Sequence, residues 1–333
     1  MPSLKGLTFA KKGRRIIARL KASPPDLSCH YFFPRVHLND YLLSVLLGII
    51  EGLTEFLPVS STAHLRISEA FLGLDLGNGY WKMFSIVIQL GAILCLPIYF
   101  WPRIIEFVRD FPNGKRGDRT VLTHPLSLTT IAFICTALPA FLLTKVIGRH
   151  LENIHIMAWS LIIGGIVMWI VDAMYERSQH RAFARGGLTT DMEQMSLAQA
   201  VWIGLCQILS AVFPGTSRSM STITAGELAG MDRPTALEFS FFLSIPTMVV
   251  ATFYDLFKSL RPHHGEPSVI GELPRDGHHI LVVVIGFVVS FIVAYVVVAW
   301  FMRWVRTRGF TVFAVYRILL GAFVLWWAGR MVG

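Results

Sequence analysis

Residue types that bind phosphate or metal ions are concentrated in one short stretch of the sequence. Residues 51–64 read EGLTEFLPVSSTAH and bring together two carboxylates, an imidazole and three consecutive hydroxyl side chains. The stretch directly follows the apolar residues 41–50. Burying an ionisable side chain in an apolar setting costs about a few kcal/mol or more, so the density of such groups here indicates a functional site.

The spacing of the two carboxylates is that of one helix face. Glu51 and Glu55 lie four positions apart, so on a helix their side chains project from the same side. Two carboxylates in this arrangement can hold a hard divalent cation, either Mg²⁺ or Ca²⁺, or share a proton. The alternative is an ordinary solvated helix face, which the apolar surroundings disfavour.

A proline divides the stretch into two helical segments. Pro58 lacks an N–H and restricts the residue before it, so the helix that carries the carboxylates is expected to end there. The hydroxyl residues at 60–62 then provide N-cap candidates for a second short helix that contains His64. A helix N-terminus with hydroxyl groups around it can also bind an anion. The pattern predicts a helical hairpin whose polar tip is buried in protein or faces a water-filled cavity.

A second polar cluster ends a later apolar segment that is too short to cross a membrane. Residues 213–222 read FPGTSRSMST, in which Pro-Gly predicts a turn and the following hydroxyl residues predict the cap of a helix. Arg218 lies at the positive end of this helix, where the macrodipole disfavours a cation unless an anion is present. A guanidinium, hydroxyls and backbone N–H groups together indicate a phosphate site. The alternative for Arg218 is a side chain that extends to lipid headgroups.

Together the two clusters contain the groups that phosphate-ester hydrolysis requires. We predict that Arg218 neutralises the phosphate and that Glu51 and Glu55 hold the cation. The other predicted phosphate-binding residues are Ser217, Ser219, Thr222, Ser60 and Gly215. The catalytic candidates are His64, Ser61, Thr62 and Glu55. The sequence leaves open whether one of the first three or a water molecule attacks the phosphorus.

The composition is that of an integral membrane protein. Of the 333 residues, 54% are hydrophobic and 15% are charged, which excludes an ordinary soluble domain. The net charge of +9 does not indicate nucleic acid binding, because the basic residues lie mostly between apolar segments, where they meet lipid headgroups. The four cysteines show no metal-ligand spacing. The apolar segments that approach or reach the ~20 residues of a membrane-crossing helix are 84–101, 126–146, 155–171, 239–257, 280–302 and 310–328.

The two halves of the chain resemble each other at a nearly constant offset. The pairs at an offset of 156 positions are Gly48–Gly204, Glu51–Gln207, Pro58–Pro214, Ser61–Ser217, Ala158–Ala314 and Gly165–Gly321. If each half holds one re-entrant hairpin and three crossings, the odd number of crossings inverts the second half relative to the first. The predicted fold is therefore an all-α integral membrane protein with an inverted-topology repeat, six transmembrane helices and two re-entrant helical hairpins.

The predicted organisation has four parts. These are a basic N-terminal arm at 1–38, a first membrane repeat at 39–175, a polar linker at 176–195 and a second membrane repeat at 196–333. The basic loops that fall on one face are 103–119, 177–185 and 303–308. The positive-inside rule makes that face cytoplasmic. Both termini would then lie outside, which the basic arm opposes.

The two polar clusters resemble the motifs of a known family. EGLTEFLPVSST followed by a histidine, and PGxSRSxxT in the second half, are similar to the motifs of the bacterial undecaprenyl-diphosphate phosphatases, the bacitracin-resistance membrane family. The resemblance extends from about Asn39 to the end of the chain. The sequence differs from the family at Ala63, where glycine is common, and in its long basic arm.

The resemblance implies a function and roles for individual residues. It implies removal of the terminal phosphate from undecaprenyl diphosphate, which regenerates the lipid carrier for cell-wall glycans. It also implies a place in the bacterial inner membrane, with an active site open to the periplasmic face. The family's residues fall on Glu51 and Glu55 as metal ligands, His64 as the essential histidine, Arg218 as the phosphate ligand, and Ser61 and Thr62 as candidate catalytic hydroxyls.

Other classes of function share this architecture. A transporter or flippase of a polyprenyl phosphate would also use inverted repeats, and a structural membrane protein could bury polar pairs. Transport requires charge complementarity but no nucleophile, so His64 and Ser61 beside the carboxylates favour hydrolysis. The expected partners are a polyprenyl diphosphate and membrane lipids, without nucleic acid. A homodimer is compatible with the sequence, which does not determine the oligomeric state.

Overall fold

A computed structural model describes residues 39–74, 79–143, 153–184, 187–260 and 276–332 of the chain. Within these ranges the regular structure is helical, apart from one isolated β-bridge between Thr189 and Met231. This confirms the predicted all-α class. The predicted basic arm lies outside the described residues.

Eleven α-helices and one short 3₁₀ segment, Met192–Gln194, occupy the described residues. In chain order the helices are α1 Asp40–Thr54, α2 Ser61–Phe71, α3 Gly79–Tyr99, α4 Trp101–Asp110, α5 Pro125–Leu142, α6 Ile154–Ala184, α7 Leu197–Val212, α8 Arg218–Leu228, α9 Arg233–Leu260, α10 Gly277–Trp304 and α11 Thr311–Val332. Helix α6 continues to Ala184, into the segment predicted as a polar linker.

Six of these helices are long and apolar enough to cross a membrane. Their candidate spans are Tyr80–Tyr99, Pro125–Leu142, Ile154–Arg177, Arg233–Tyr254, Gly277–Trp304 and Thr311–Arg330. Each overlaps one of the six predicted apolar segments. Length and composition therefore identify a multi-pass membrane protein, as predicted.

Helices α1, α2, α7 and α8 are too short to cross the hydrocarbon of a bilayer. At ~1.5 Å per residue, the 15 residues of α1 extend about 22 Å and the 11 residues of α2 about 16 Å, against a thickness of ~30 Å. Helices α7 and α8 have 16 and 11 residues. The turn within each pair contains a proline, Pro58 or Pro214. These lengths support the two re-entrant hairpins, whose depth in a bilayer stays a prediction.

Side-chain caps define where several helices begin. Asn39 Oδ1 accepts the N–H of Tyr41 at 3.1 Å at the start of α1. Ser196 and Gln199 form a reciprocal capping box at the start of α7. Asp276 Oδ1 accepts the N–H of the third residue after it at 2.8 Å at the start of α10. Each cap satisfies an N–H that the helix itself leaves unpaired, a contribution of ~1 kcal/mol.

The helices pack in pairs that correspond between the two halves of the chain. Helix α1 packs on α10, and its counterpart in the second half, α7, packs on α5. In the same way α3 packs on α10, and its counterpart α9 packs on α5. Helix α6 packs on α11, and α3 packs on α9. These contacts are therefore the same when the two halves are exchanged, which is expected of two repeats related by a two-fold axis. The contacts support the predicted repeat, and its inverted orientation stays a prediction.

Helices α6 and α11 approach each other closely at two glycines. A Cβ added to Gly165 would lie 2.8 Å from the carbonyl oxygen of Ala314, and a Cβ added to Gly321 would lie 2.7 Å from the carbonyl oxygen of Ala158. These four residues are two of the pairs that the repeat matches. The contact is therefore reciprocal, and small residues allow the two backbones to approach closely within a membrane.

Valine in place of Gly321 is expected to disrupt this contact. Its side chain would meet the backbone of Ala158 and the side chain of Ile162, so we expect a loss of about 1–3 kcal/mol and a lower Tm in detergent. Gly329→Val on the same helix is the matched control, because nothing lies within 4 Å of a Cβ added there. Equal melting temperatures for the two variants would contradict the close approach of α6 and α11.

Ion pairs connect Arg103, at the start of the predicted cytoplasmic loop 103–119, to the predicted polar linker and to helix α9. Arg103 on α4 donates to Asp191 at 2.7 Å and to Glu238 on α9 at 3.2 Å. It also donates to Glu106 on its own helix at 3.0 Å. Hydrogen bonds from Lys115 and Arg103 hold the pKa of the Glu106 carboxyl below its usual range. The basic loop of the first half is thus joined by ion pairs to the second half.

Asp172 fixes the beginning of the last helix. Its Oδ2 accepts the N–H groups of Phe310 and Thr311 at 3.0 and 2.9 Å and the hydroxyl of Thr311 at 2.7 Å. Its Oδ1 accepts a hydrogen bond from Arg233 at 2.5 Å. Asp172 is fully buried, so this carboxylate anchors α11 firmly to α6.

Candidate active site

The first polar stretch forms a helix, a turn and a second helix, as predicted. Helix α1 carries Glu51 in its last turn and ends at Thr54, earlier than the predicted end at the proline. The residues that follow form a turn that includes Glu55. Helix α2 begins after its N-cap, Ser60, whose Oγ accepts the N–H of the third residue after it at 3.4 Å.

The second polar stretch folds in the same way. Helix α7 ends at Val212, and a turn that contains Gly215 follows it. Ser217 is the N-cap of α8, and its Oγ accepts the N–H of Met220 at 3.3 Å. Arg218 is the first residue of α8, so its side chain begins at the positive end of that helix.

The two N-cap serines share an uncommon backbone conformation. Ser60 has a φ of 73° and Ser217 a φ of 68°, and no other non-glycine residue in the described part of the chain has a positive φ. This conformation costs about 1–3 kcal/mol and is typical of functional sites. By its place in the turn Ser217 therefore corresponds to Ser60, and not to Ser61 as the constant offset of 156 predicted, because the second tip has one more residue between its proline and its N-cap.

Arg218 of the second tip contacts Glu55 of the first tip. Its Nη2 donates to Glu55 Oε1 at 3.0 Å, and Ser61 Oγ donates to Glu55 Oε2 at 2.5 Å. Ser219 Oγ donates to the backbone carbonyl oxygen of Glu55 at 3.4 Å. Only 11% of the Arg218 side chain and 4% of the Glu55 side chain are exposed. The structure thus brings four of the predicted site residues together, and their roles stay predictions.

Glu51 lies beside this pair as a buried carboxyl group that has no hydrogen-bond donor in the described part of the chain but is close enough to Glu55 to share a proton with it. Its side chain is fully buried, and neither carboxylate oxygen has a hydrogen-bond partner among the described residues. Glu55 and Arg218 are close enough to interact with it electrostatically. A buried carboxylate in this state requires a proton or a cation.

The two glutamates fit a divalent cation that has further ligands. No group of three or more histidine, cysteine, aspartate or glutamate side chains that could hold a metal ion occurs in the described ranges. Glu51 has two unpaired oxygens, and Glu55 keeps lone pairs beyond its bonds to Arg218 and Ser61. Mg²⁺ commonly takes one or two carboxylates together with water and substrate phosphate oxygens. The residues present therefore fit a cation that takes its remaining ligands from water or a bound anion, and the binding of a cation stays a prediction.

His64 faces the last helix rather than the Glu55–Arg218 pair. Its Nδ1 lies 2.7 Å from the carbonyl oxygen of Ser60, and its Nε2 lies 2.6 Å from the hydroxyl oxygen of Tyr316. The His64 and Tyr316 rings stack with centroids 5.6 Å apart and planes 9° apart. Among the described residues, no hydrogen bond or ion pair joins His64 to Glu55 or Arg218.

Three of the predicted hydroxyl residues lie in different surroundings. Thr62 is exposed, whereas Ser61 is buried. Thr222 is buried, and its Oγ1 lies 2.6 Å from Oγ of Ser240 on α9. The Thr222 hydroxyl also donates to the carbonyl oxygen of Arg218 at 3.0 Å. Its predicted contact with phosphate would require it to leave these partners, and that role stays a prediction.

Arg317 on α11 joins the two tips to each other. Its Nη1 donates to the carbonyl oxygen of Pro58 at 3.0 Å, and its Nη2 donates to the carbonyl oxygens of Gly215 at 3.0 Å and Ser160 at 3.3 Å. The side chain is fully buried. From the sequence, Arg317 and its neighbour Tyr316 are expected to pair with other polar groups or to line the cavity, without an assigned contact to substrate. The available signal was that both are polar residues inside an apolar span, where such groups are rare and usually functional.

Comparison with protein families identifies the group to which this site belongs. A family described as bacitracin resistance protein BacA matches residues 44–323, which include both tips and the two polar residues of α11. The chain belongs to the bacitracin resistance protein BacA family. The BacA match begins after the predicted basic arm.

Several relatives are similar to the chain over nearly all of their own length. A protein of Koribacter versatilis named undecaprenyl-diphosphatase is 67% identical over 291 residues, which cover 87% of this chain and 99% of the relative. A Bradyrhizobium protein of the same name is 40% identical and covers 85% of this chain and 96% of the relative. A Deinococcus radiodurans protein of the same name is 35% identical over 86% of this chain and 94% of the relative.

The departure from the usual motif at Ala63 is accommodated by packing. Ala63 is fully buried and lies in a cluster with Met157 and Leu161 of α6. Its backbone N–H is the one that the N-cap hydroxyl of Ser60 accepts. The methyl group therefore fills space at the base of the first tip, and the cap that begins α2 is present.

Proposed function

We propose that this chain hydrolyses undecaprenyl diphosphate to undecaprenyl phosphate and inorganic phosphate, and so returns the lipid carrier to cell-wall synthesis. The relatives named undecaprenyl-diphosphatase support the substrate and the reaction. The observation that carries the chemistry is the contact of Glu55 with both Arg218 and Ser61. Phosphoryl transfer needs a positive group that binds the phosphate and a nucleophile whose proton can be removed. The Arg218 guanidinium and the Ser61 hydroxyl, both hydrogen-bonded to Glu55, can supply these two functions.

Arg218 and the start of α8 bind the terminal phosphate in this proposal. Nη2 of the guanidinium donates a hydrogen bond to Glu55, whereas Nη1 has no hydrogen-bond partner among the described residues. That nitrogen is available to donate to a phosphate oxygen, and the helix N-terminus adds its own positive end. Because Arg218 is mostly buried, its interaction with the anion is screened little by water.

Ser61 attacks the terminal phosphorus while Glu55 takes its proton. The hydrogen bond from Ser61 Oγ to Glu55 Oε2, 2.5 Å long, already points this proton at a carboxylate. A bond forms between Oγ and phosphorus, the bond from phosphorus to the bridging oxygen breaks, and undecaprenyl phosphate leaves. Water then hydrolyses the phosphoserine, which releases inorganic phosphate and restores the Ser61 hydroxyl.

A divalent cation between Glu51 and Glu55 would neutralise diphosphate charge and offset charge on the leaving oxygen. Removal of the cation by chelation is therefore expected to silence phosphate release, and excess Mg²⁺ or Ca²⁺ is expected to restore it. Glu51→Gln should raise the cation concentration needed for half-maximal activity by at least about tenfold, because it removes a ligand charge. Full activity in excess EDTA would remove the cation from the proposal.

Transport of a polyprenyl phosphate without hydrolysis is the competing function. The paired hairpins and the repeat suit a transporter, but the serine placed on a buried carboxylate has no purpose in transport alone. The test is phosphate release from undecaprenyl diphosphate by the purified full-length chain in detergent micelles, where no compartments exist. Release of one phosphate per lipid supports hydrolysis. Absence of phosphate release, together with movement of the lipid across the bilayer of proteoliposomes, would show that the chain transports the lipid and does not hydrolyse it.

We place the chain in the bacterial inner membrane with the site open to the periplasmic face. The multi-pass character supports the membrane, and the basic loops support the orientation. The family resemblance supports the outward opening. Labelling of single cysteines that replace Arg116 and Gly277, both exposed, from either side of intact spheroplasts tests the orientation. The first should react only after permeabilisation and the second without it.

A further inference from the structure

We propose that Tyr316 is a positioning residue, which acts through His64 on the turn that carries Ser61. This proposal rests on the proposed hydrolysis at Ser61 and adds a residue from the far end of the chain. Tyr316 belongs to α11, which lies outside both polar stretches. Its contacts form a continuous path to the Ser61 hydroxyl.

The partners of His64 determine which nitrogen carries the proton. The carbonyl oxygen of Ser60 can only accept, so Nδ1 must be protonated to bond to it at 2.7 Å. In the neutral ring Nε2 is then unprotonated, and it accepts the hydroxyl proton of Tyr316 at 2.6 Å. Both nitrogens are engaged, so His64 is poorly placed to attack phosphorus. Its geometry is that of a connector between α11 and the first tip.

The connection ends at a strained residue next to the proposed nucleophile. Ser60 has a φ of 73° and a ψ of 94°, a conformation that non-glycine residues rarely adopt. The carbonyl group of Ser60 is held by His64 Nδ1, and its Oγ caps α2. The next residue, Ser61, donates to Glu55. Rotation of the peptide that joins Ser60 to Ser61 would move the attacking hydroxyl, so a bond that holds this carbonyl orients the nucleophile.

The second tip provides an internal comparison. Ser217 has the same positive φ, and its carbonyl oxygen is held at 3.1 Å by the hydroxyl of Ser221, which stands where His64 stands in the first tip. A serine therefore suffices to hold the carbonyl of this turn. A histidine at this place does something that a serine cannot, because its second nitrogen reaches Tyr316.

Arg317, the neighbour of Tyr316, holds the same tip at another point. It donates to the carbonyl oxygen of Pro58, two residues before Ser60. Helix α11 thus contacts the first tip on both sides of the strained residue, directly through Arg317 and through His64 from Tyr316. Because Asp172 holds the beginning of α11 in place, both contacts come from a helix whose position is fixed.

Tyr316→Phe tests the proposal, because it keeps the ring and removes the hydroxyl. We expect kcat to fall about three- to tenfold and KM to change by less than about twofold. The variant removes the hydrogen bond between Tyr316 and His64 and no contact with the substrate. Tyr295→Phe is the matched control. Both tyrosines are in spans and partly exposed, at 44% and 39%, and Tyr295 contacts Tyr99 rather than the site.

A double-mutant cycle shows whether Tyr316 acts through His64. His64→Asn keeps a side-chain N–H that can donate to Ser60 and removes the nitrogen that reaches Tyr316, so we expect it to retain more activity than His64→Ala. In the His64→Asn background, Tyr316→Phe should cause no further loss of kcat. Additive losses would overturn the proposal, because a purely structural role of Tyr316 would be independent of His64.

The outcomes separate this proposal from the proposed function. If the unaltered chain releases no phosphate, hydrolysis itself is wrong. If the unaltered chain is active and Tyr316→Phe has a kcat within twofold of it, Tyr316 is not a positioning residue and hydrolysis stands. The melting temperatures of Tyr316→Phe and Tyr295→Phe in detergent should agree with that of the unaltered chain.

Discussion

Arg218→Ala is expected to abolish phosphate release, with a kcat at least about 10³-fold lower than that of the unaltered chain. The Arg218 guanidinium contacts the Glu55 carboxylate across the junction of the two tips, and this contact is mostly shielded from solvent. Its removal takes away the ligand for the phosphate and leaves a buried carboxylate without its cation. Both effects act on the chemical step.

Two further variants make this prediction specific. Arg218→Lys keeps the charge but loses the planar fork, so it should restore only part of the activity. Arg330→Ala is the matched control, because Arg330 lies at the end of α11 over the ring of Trp326 and should leave kcat within twofold. Near-normal turnover by Arg218→Ala would remove Arg218 from the mechanism.

Ser61→Ala is expected to lose at least about 10³-fold in kcat, while Thr62→Ala stays within about threefold. The two hydroxyls are adjacent in sequence but differ in surroundings. Ser61 is buried and donates to Glu55 at 2.5 Å, whereas Thr62 is exposed. A hydroxyl that attacks phosphorus cannot be replaced by a methyl group, and an exposed threonine in the first turn of a helix can.

Rapid quenching of parallel samples in acid, which preserves phosphoserine, and in alkali, which preserves phosphohistidine, identifies the nucleophile directly. With undecaprenyl diphosphate labelled on its terminal phosphate, the label should be trapped on Ser61 and be absent from Ser61→Ala. Label on His64 would contradict the inference that both of its ring nitrogens are engaged by Ser60 and Tyr316. Equal losses in Ser61→Ala and Thr62→Ala would show that the contact with Glu55 does not select between the two hydroxyls.

Local patterns in the sequence predicted the elements of the fold well. Apolar length predicted the six candidate spans, because crossing a membrane imposes a minimum length on each helix. Proline and the hydroxyl runs predicted the two tips and their caps, since cap preference depends on a few neighbouring residues. The end of α1 at Thr54 was predicted too late, because the turn begins before Pro58 and includes Glu55.

The partners of the site residues could not be predicted from the sequence. Arg218 and Glu55 are 163 positions apart, and the distance between them depends on how whole helices pack. Placement of Thr222 against Ser240 and of His64 against Tyr316 depends on the same packing. The polar character of Arg317 in an apolar span marked it as unusual, but only the structure shows that it bonds to both tips.

The most direct test of the account is an experimental structure of the full-length chain with bound orthovanadate, a mimic of the phosphoryl group in transfer. We predict vanadate between the two tips, with an oxygen within hydrogen-bond distance of the Arg218 guanidinium and the vanadium in line with Ser61 Oγ. Glu55 should still join the two tips. Vanadate bound elsewhere, or tips held apart with no contact between Glu55 and Arg218, would contradict the proposed site.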